Sequence, residues 1–283
     1  MAIPKLQAYA LPTAADLPSN KVNWPFEPAR AALLIHDMQD YFLNFWGDNS
    51  PLMATVVANI AALRQYAKQH HIPVYYTAQP KTQSDEDRAL LNDMWGPGLT
   101  RSPEQQRIIA ALAPDEADTV LVKWRYSAFH RSPLEQALKE TGRDQLVITG
   151  VYAHIGCMTT ATDAFMRDIK PFFVADALAD FSREEHLMSL NYVAGRSGRV
   201  VMTDELLPLP GSKAALRALI LPLLDESDEP MDDENLVDYG LDSVGMMALA
   251  ARWRKVHGDI DFVMLAKNPT LDAWWALLSR EVK

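Results

Sequence analysis

The sequence predicts a doubly wound α/β domain with a mostly parallel six-stranded sheet, followed by a small all-α domain of four helices. Short β-branched or aromatic runs alternate with longer amphipathic stretches from Ala31 to about Thr203, the rhythm of parallel strands joined by helical crossovers. Prolines and a glycine then gather in the segment Leu207 to Ser212, which suits an extended connector better than a helix or strand. Beyond it, apolar residues recur only at helical spacing. A chain of 283 residues also exceeds the roughly 100–200 residues usual for one domain.

The strands read in order are Ala31 to His36, Pro73 to Thr77, Thr119 to Lys123, Gln145 to Val151, Pro171 to Ala175 and Arg199 to Met202. Between them the amphipathic stretches predict helices over Met53 to His70, Pro103 to Leu112, Ser132 to Thr141, Cys157 to Asp168 and Arg183 to Ala194. In the last segment the helical faces fall at Leu216, Leu219, Ile220 and Leu223, then at Val244, Met247, Leu249, Ala250 and Trp253, and finally around Leu271, Trp274, Leu277 and Leu278. The expected domains are residues 1–207 and 213–283, with a linker over 208–212. Seven of the ten residues from Asp225 to Glu234 are acidic, which reads as a solvated loop between helices, with a docking surface for basic partners as the sharper alternative.

Composition limits the functions open to such a chain. With 27 basic against 37 acidic residues the net charge is −10, and without a Lys/Arg cluster no nucleic-acid surface is expected. The single cysteine, Cys157, excludes an intrachain disulfide. Met1 to Asn20 has neither the basic start and apolar core of a signal peptide nor a spanning segment, so a cytoplasmic protein without membrane attachment is expected.

In open α/β sheets ligands bind beyond the carboxyl ends of the strands. There the first four strands present Asp37, Gln79, Lys123 and Tyr152: a carboxylate, an amide, an ammonium and a phenol, which together make an acid/base and hydrogen-bonding site. Strict alternation along the first strand places His36 on the face opposite Asp37. Arg88 is the candidate bidentate cation beyond the second strand. Phe42, Trp46, Trp95 and Tyr126 follow the strand ends as candidate walls. His154 and His130 have no partners at metal-ligand spacing, so no catalytic metal is expected.

Three segments together resemble the isochorismatase-like hydrolases: Leu34 to Asp40 (LIHDMQD), Val122 to Phe129 (VKWRYSAF) and Thr149 to Met158 (TGVYAHIGCM). The resemblance covers roughly Ile3 to Pro208. Many members use an Asp, Lys, Cys triad, and it implies Asp37 and Lys123 for the first two positions and Gly156 at that of the nucleophilic cysteine, as in the isochorismatases themselves. The implied reaction is hydrolysis of the vinyl ether of isochorismate to 2,3-dihydro-2,3-dihydroxybenzoate and pyruvate. Asp37 would be the general acid, with Gln79, Arg88, Tyr152 and Phe42 around the substrate and room for its ring at Gly156. Burial raises the pKa of such an acid whereas a nearby Lys123 lowers it, a tension that pairing of Lys123 with the substrate's anionic groups would relieve. Two alternatives stay open: a cysteine amidohydrolase of the same fold using Cys157, and a noncatalytic scaffold for the helical domain.

The run Asp238 to Met247 (DYGLDSVGMM) resembles the aryl carrier domains of nonribosomal peptide synthesis, which implies Ser243 as the attachment site of a covalent 4′-phosphopantetheine. An N-cap serine is the plainer reading of those residues, and Gly245 departs from the carrier pattern inside the first helical turn. An isochorismatase followed by an aryl carrier is the domain order of the bifunctional proteins of enterobactin-type siderophore synthesis. That order implies as partners isochorismate, a 2,3-dihydroxybenzoate-AMP ligase, a phosphopantetheinyl transferase and a nonribosomal peptide synthetase condensation domain; a homo-oligomer is also expected.

Overall fold

A computed structural model of the chain describes every residue except 1–2, 208, 225–228, 255–256, 258 and 281–283. Pro208 of the expected linker and the first four residues of the acidic run therefore lie outside the described residues. Two compact units result, Met1–Leu206 and Leu207–Lys283.

In the first unit the elements run β1 (Ala31–His36), α1 (Pro51–Gln69), β2 (Val74–Ala78), β3 (Thr119–Val122), α2 (Leu134–Glu140), β4 (Gln145–Val151), α3 (Met158–Phe165), β5 (Lys170–Ala179), α4 (Arg183–Arg196) and β6 (Arg199–Val201). The sheet order is β3-β2-β1-β4-β5-β6, every pairing is parallel, and the order reverses beside β1. This is the doubly wound sheet the sequence predicts. β1 and β4 are buried at every position, as central strands covered by helices on both faces must be. Local signals start the helices: Ser50 caps α1 through the Met53 N–H with Pro51 at its first position, and Ser182 caps α4 through the Glu185 N–H.

Two elements depart from the sequence reading. No helix forms over Pro103 to Leu112; two single 3₁₀ turns, Pro103–Gln106 and Ala110–Leu112, flank an extended piece. Its backbone groups are claimed by the chain leaving β1, through the Asp40 N–H to the Arg107 carbonyl (2.9 Å) and the Ile109 N–H to the Met38 carbonyl (3.0 Å). Tertiary hydrogen bonds thus override the helical period. β5 continues four residues past the expected Ala175, and the polar Asp176 within it is buried and satisfied. Its carboxylate accepts from the Thr203 N–H (2.7 Å) and hydroxyl (2.8 Å).

The second unit holds four α-helices among its described residues: α5 (Lys213–Ile220), α6 (Ser243–Arg254), α7 (Phe262–Lys267) and α8 (Leu271–Leu278). Their core is Leu216, Ile220, Leu236, Leu241, Met246, Leu249, Trp253, Leu265, Leu271 and Trp274, with the two tryptophans edge to face at 5.6 Å. On α6 the buried stripe runs through Met246, Leu249, Ala250 and Trp253, whereas Val244 and Met247 are more than half exposed. Leu249, Ala250 and Trp253 are thus buried as expected, whereas in the first turns Met246 is turned inward in place of Val244 and Met247. No helix among the described residues is long and apolar enough to cross a membrane.

Candidate active site

The carboxyl ends of β1 to β4 open into a pocket, part of it continuous with solvent. Asp37, Phe42, Gln79, Arg88, Lys123, Tyr152 and Gly156 all line it. Trp95 and Tyr126 form part of the wall, tied by the Trp95 Nε1 donating to the Tyr126 hydroxyl (2.8 Å). Trp46, expected there, instead packs behind the wall against the Tyr152 ring at 5.4 Å. The extended strand ends bring the polar groups together; loops after β5 and β3 add Phe181 and Arg125, which strand-end reasoning missed.

Asp37 is the polar centre. Its Oδ2 accepts from the Lys123 Nζ at 2.8 Å and its Oδ1 from the Thr77 hydroxyl at 2.6 Å, all three groups being buried. Burial alone pushes the carboxyl up, but the neighbouring His36, Lys123 and the Thr77 hydroxyl outweigh it and hold the Asp37 pKa below its ordinary value. Burial also lowers His36 to about 4, leaving its ring neutral at pH 7, so there Lys123 and Thr77 do the holding. In the free protein Asp37 is therefore an anion.

His36 does not face away. Asp37 has a left-handed backbone (φ 52°), which breaks the two-residue alternation and returns its carboxylate to within 3.5 Å of the His36 Nδ1. Nor does Gly156 leave room for a substrate ring in the direction of a side chain. A Cβ there would lie 2.2 Å from the His36 Cε1, so the imidazole already fills that niche.

Arg88 is 3% exposed, and its guanidinium donates to the Asn92 side chain (3.2 Å), the Gln83 side chain (3.1 Å) and the Gly96 carbonyl (2.6 Å), all neutral acceptors. Three of its five N–H groups are used, the geometry is fixed, and the charge has no carboxylate partner among the described residues. Arg125 donates to the backbone carbonyls of Asp87 and Trp124 (2.8 and 2.7 Å). The Gln79 side-chain amide has no partner among the described residues, while its backbone is stitched to the Gln39 amide. The Tyr152 hydroxyl, by contrast, donates to the Phe42 carbonyl (2.9 Å), and burial raises its pKa well above the ordinary range; it presents a ring to the pocket more than an acid.

Cys157 turns the other way. It is fully buried in the core beneath α3, with Ala153, Ala161 and Ala164, and burial raises its thiol well above the usual range, against use as a thiolate. His154 is spoken for as well: Asp180 accepts from its backbone N–H (2.6 Å) and meets its Nδ1 (2.5 Å), pinning the turn before α3 to the end of β5.

In the second unit Ser243 is exposed at the first position of α6. The cap is not the serine but Asp242, whose Oδ1 accepts from the Gly245 N–H at 2.7 Å. The Ser243 hydroxyl is left without a partner among the described residues.

An open parallel sheet with a carboxylate and an ammonium beyond its strand ends and a buried guanidinium on the pocket wall, in a chain that also holds a helical unit with an exposed serine, defines an α/β hydrolase carrying an attachment domain. Residues 31–205 match the isochorismatase domain and residues 214–278 the phosphopantetheine attachment site, and the chain belongs to the isochorismatase family. It is 83% identical, over the full length of both chains, to the "Enterobactin synthase component B" of Escherichia coli (strain K12). It is 48% identical to the "Isochorismatase" of Bacillus subtilis (strain 168), across 99% of this chain and 96% of that one. Among solved structures it resembles a cysteine hydrolase from Pseudomonas syringae pv. phaseolicola 1448A, with a TM-score of 0.60 and 26% identity over 66% of this chain and 94% of that one.

Proposed function

We propose that the chain is an isochorismatase and aryl carrier protein of enterobactin biosynthesis, in which Asp37 protonates the vinyl ether of isochorismate and Ser243 bears the carrier arm. The observation that carries the assignment of the acid is the Asp37 carboxyl, held between Lys123 and Thr77 in a pocket that offers no thiol.

Isochorismate is a dianion, and Arg88 and Arg125 supply two cations on the pocket wall that have no carboxylate partner among the described residues. A substrate carboxylate near Lys123 offsets the field that keeps Asp37 ionised, so binding favours the protonated acid. Asp37 then gives its proton to the terminal vinyl carbon, and the ether oxygen shares the resulting positive charge as an oxocarbenium ion. Water adds to the cationic carbon that bears the ether oxygen and returns a proton to Asp37. The hemiketal collapses, breaking the ether carbon–oxygen bond to release pyruvate and 2,3-dihydro-2,3-dihydroxybenzoate. Phe42, Trp95, Tyr126, Tyr152 and Phe181 give the cation an apolar, aromatic surround. No step needs Cys157.

For the carrier, Ser243 fits a phosphodiester: its hydroxyl is exposed and unpartnered, and Asp242 already caps the helix. The arm supplies a thiol that holds the aryl acid as a thioester. Partners implied by that chemistry are a transferase for the arm, a 2,3-dihydroxybenzoate-activating ligase and a condensation domain. The direct test is pyruvate release from isochorismate by wild type and by Asp37→Asn; equal rates in the two would remove Asp37 as the acid.

A further inference from the structure

His36 enters none of these steps, yet it is fully buried behind the pocket wall, beside Asp37 and Gly156. Its backbone lies between Thr77 on β2 and Gly150 on β4. At Gly150 a Cβ would meet the His36 carbonyl oxygen at 2.2 Å, so only glycine admits the end of β1 this close. The ring is fixed by its Nδ1 donating to the Val151 carbonyl (2.7 Å), while Nε2 lies 3.4 Å from the Tyr126 carbonyl. Its Cε1 and Nε2 would stand 2.2 and 2.8 Å from a Cβ at Gly156. One imidazole thus touches the end of β4, the loop after β3 and the turn before α3, and it directly precedes the residue with a left-handed backbone.

We propose that His36 is a positioning residue for Asp37, and that its ring and Gly156 form an interlocked pair which keeps the Asp37 carboxyl turned into the pocket. A left-handed conformation is disfavoured for a residue other than glycine, and Asp37 persists in it because its surroundings are fixed. Its N–H is held by Thr77 from β2, and the chain entering it is held by the His36 ring. If the ring moves, the turn at Asp37 loses its support. The interlock also gives Gly156 a reason to be glycine that is independent of any space for substrate.

The proposal rests on Asp37 as the acid, and a double-variant experiment in the full chain separates the two claims. Gly156→Ala should displace the ring and lower kcat by on the order of 100-fold, as a misplacement of about 1 Å does, with KM little changed because Arg88 and Gln79 are untouched. His36→Asn keeps a donor for the Val151 carbonyl but has no atom where Cε1 stands. The His36→Asn/Gly156→Ala variant should therefore turn over at least as fast as His36→Asn alone, the new methyl needing only a small give from the Tyr126 carbonyl at 3.2 Å. Combination with His36→Gln, whose longer side chain still reaches the niche, should give no rescue. The same ordering is expected in melting temperature, so a Gly156→Ala chain too unstable to assay still tests the pair. Independent losses that multiply in the double variant, or a Gly156→Ala enzyme of wild-type kcat, would overturn the interlock. Asp37→Asn, run in the same assay, would by retaining turnover overturn the acid assignment instead.

Discussion

At the scale of single residues, the proposed acid is held in the wrong protonation state for its reaction in the free protein. Asp37 is an anion in the free protein, its pKa held down by Lys123 and Thr77 despite burial, and the proposed reaction needs it protonated. Binding a dianion beside Lys123 raises that pKa, so binding takes up a proton and tightens as pH falls between the free and bound values. Calorimetry of a saturated-ether analogue of isochorismate in buffers of different ionisation enthalpy should show uptake approaching one proton; release, or no exchange, would contradict the scheme. Asp37→Asn removes the acid and also leaves the Lys123 ammonium buried without its anion, a change that costs about 3 kcal/mol in comparable pairs. Its loss of turnover should therefore come with a lower melting temperature, whereas the shape of the amide alone suggests an inert substitution. Cys157→Ser should behave in the opposite way: pyruvate release per folded molecule unchanged, stability lower by about 1–3 kcal/mol because a hydroxyl enters an apolar core. The strand-end residues were legible because a parallel sheet aims its carboxyl ends at one crevice. His36 was not, since the left-handed turn at Asp37 that undoes the alternation leaves no mark in residue type.

At the scale of elements, residues outside the local segment decided where the sequence misled. Period located α1 and α4 to within a few residues, and Ser50, Pro51 and Ser182 fix their starts from within their own turn. The stretch Pro103 to Leu112 and the end of β5 could not be read that way, since Met38, Asp40 and Thr203 lie far off in the chain. α6 offers a local test. Gly245 is helical and half-buried, and a Cβ there would sit 3.2 Å from the Asp242 cap oxygen and 3.4 Å from a Leu241 methyl. Gly245→Ala gains up to about 1 kcal/mol of helix propensity, part of which is offset as the cap carboxylate shifts. A net stabilisation of a few tenths of a kcal/mol is expected, read from urea melts followed by tryptophan fluorescence of the carrier unit. A destabilised variant would mean that the cap cannot give. Asp242→Ala, which leaves the Gly245 N–H without its acceptor, should cost about 1 kcal/mol.

At the scale of the whole molecule, two chemistries occupy two separate cores. The described walls of the Asp37 pocket all belong to the first unit, and Ser243 stands on a helix whose buried Met246, Leu249, Ala250 and Trp253 join the second unit's cluster with Leu216, Leu265 and Trp274. A change that spares both cores should therefore affect one activity alone. Ser243→Ala removes an exposed, unpartnered hydroxyl, so it should abolish attachment of the arm, leave the melting curve in place and leave pyruvate release at the wild-type rate. Asp37→Asn should give the reverse: no pyruvate, but full modification. Intact-protein mass spectrometry after incubation with coenzyme A and a phosphopantetheinyl transferase reads the first activity, and a coupled pyruvate assay on the same samples reads the second. An added arm on the Ser243→Ala chain would place the attachment elsewhere. A fall in its pyruvate release would show that the carrier takes part in the hydrolysis, against the separation of the two cores.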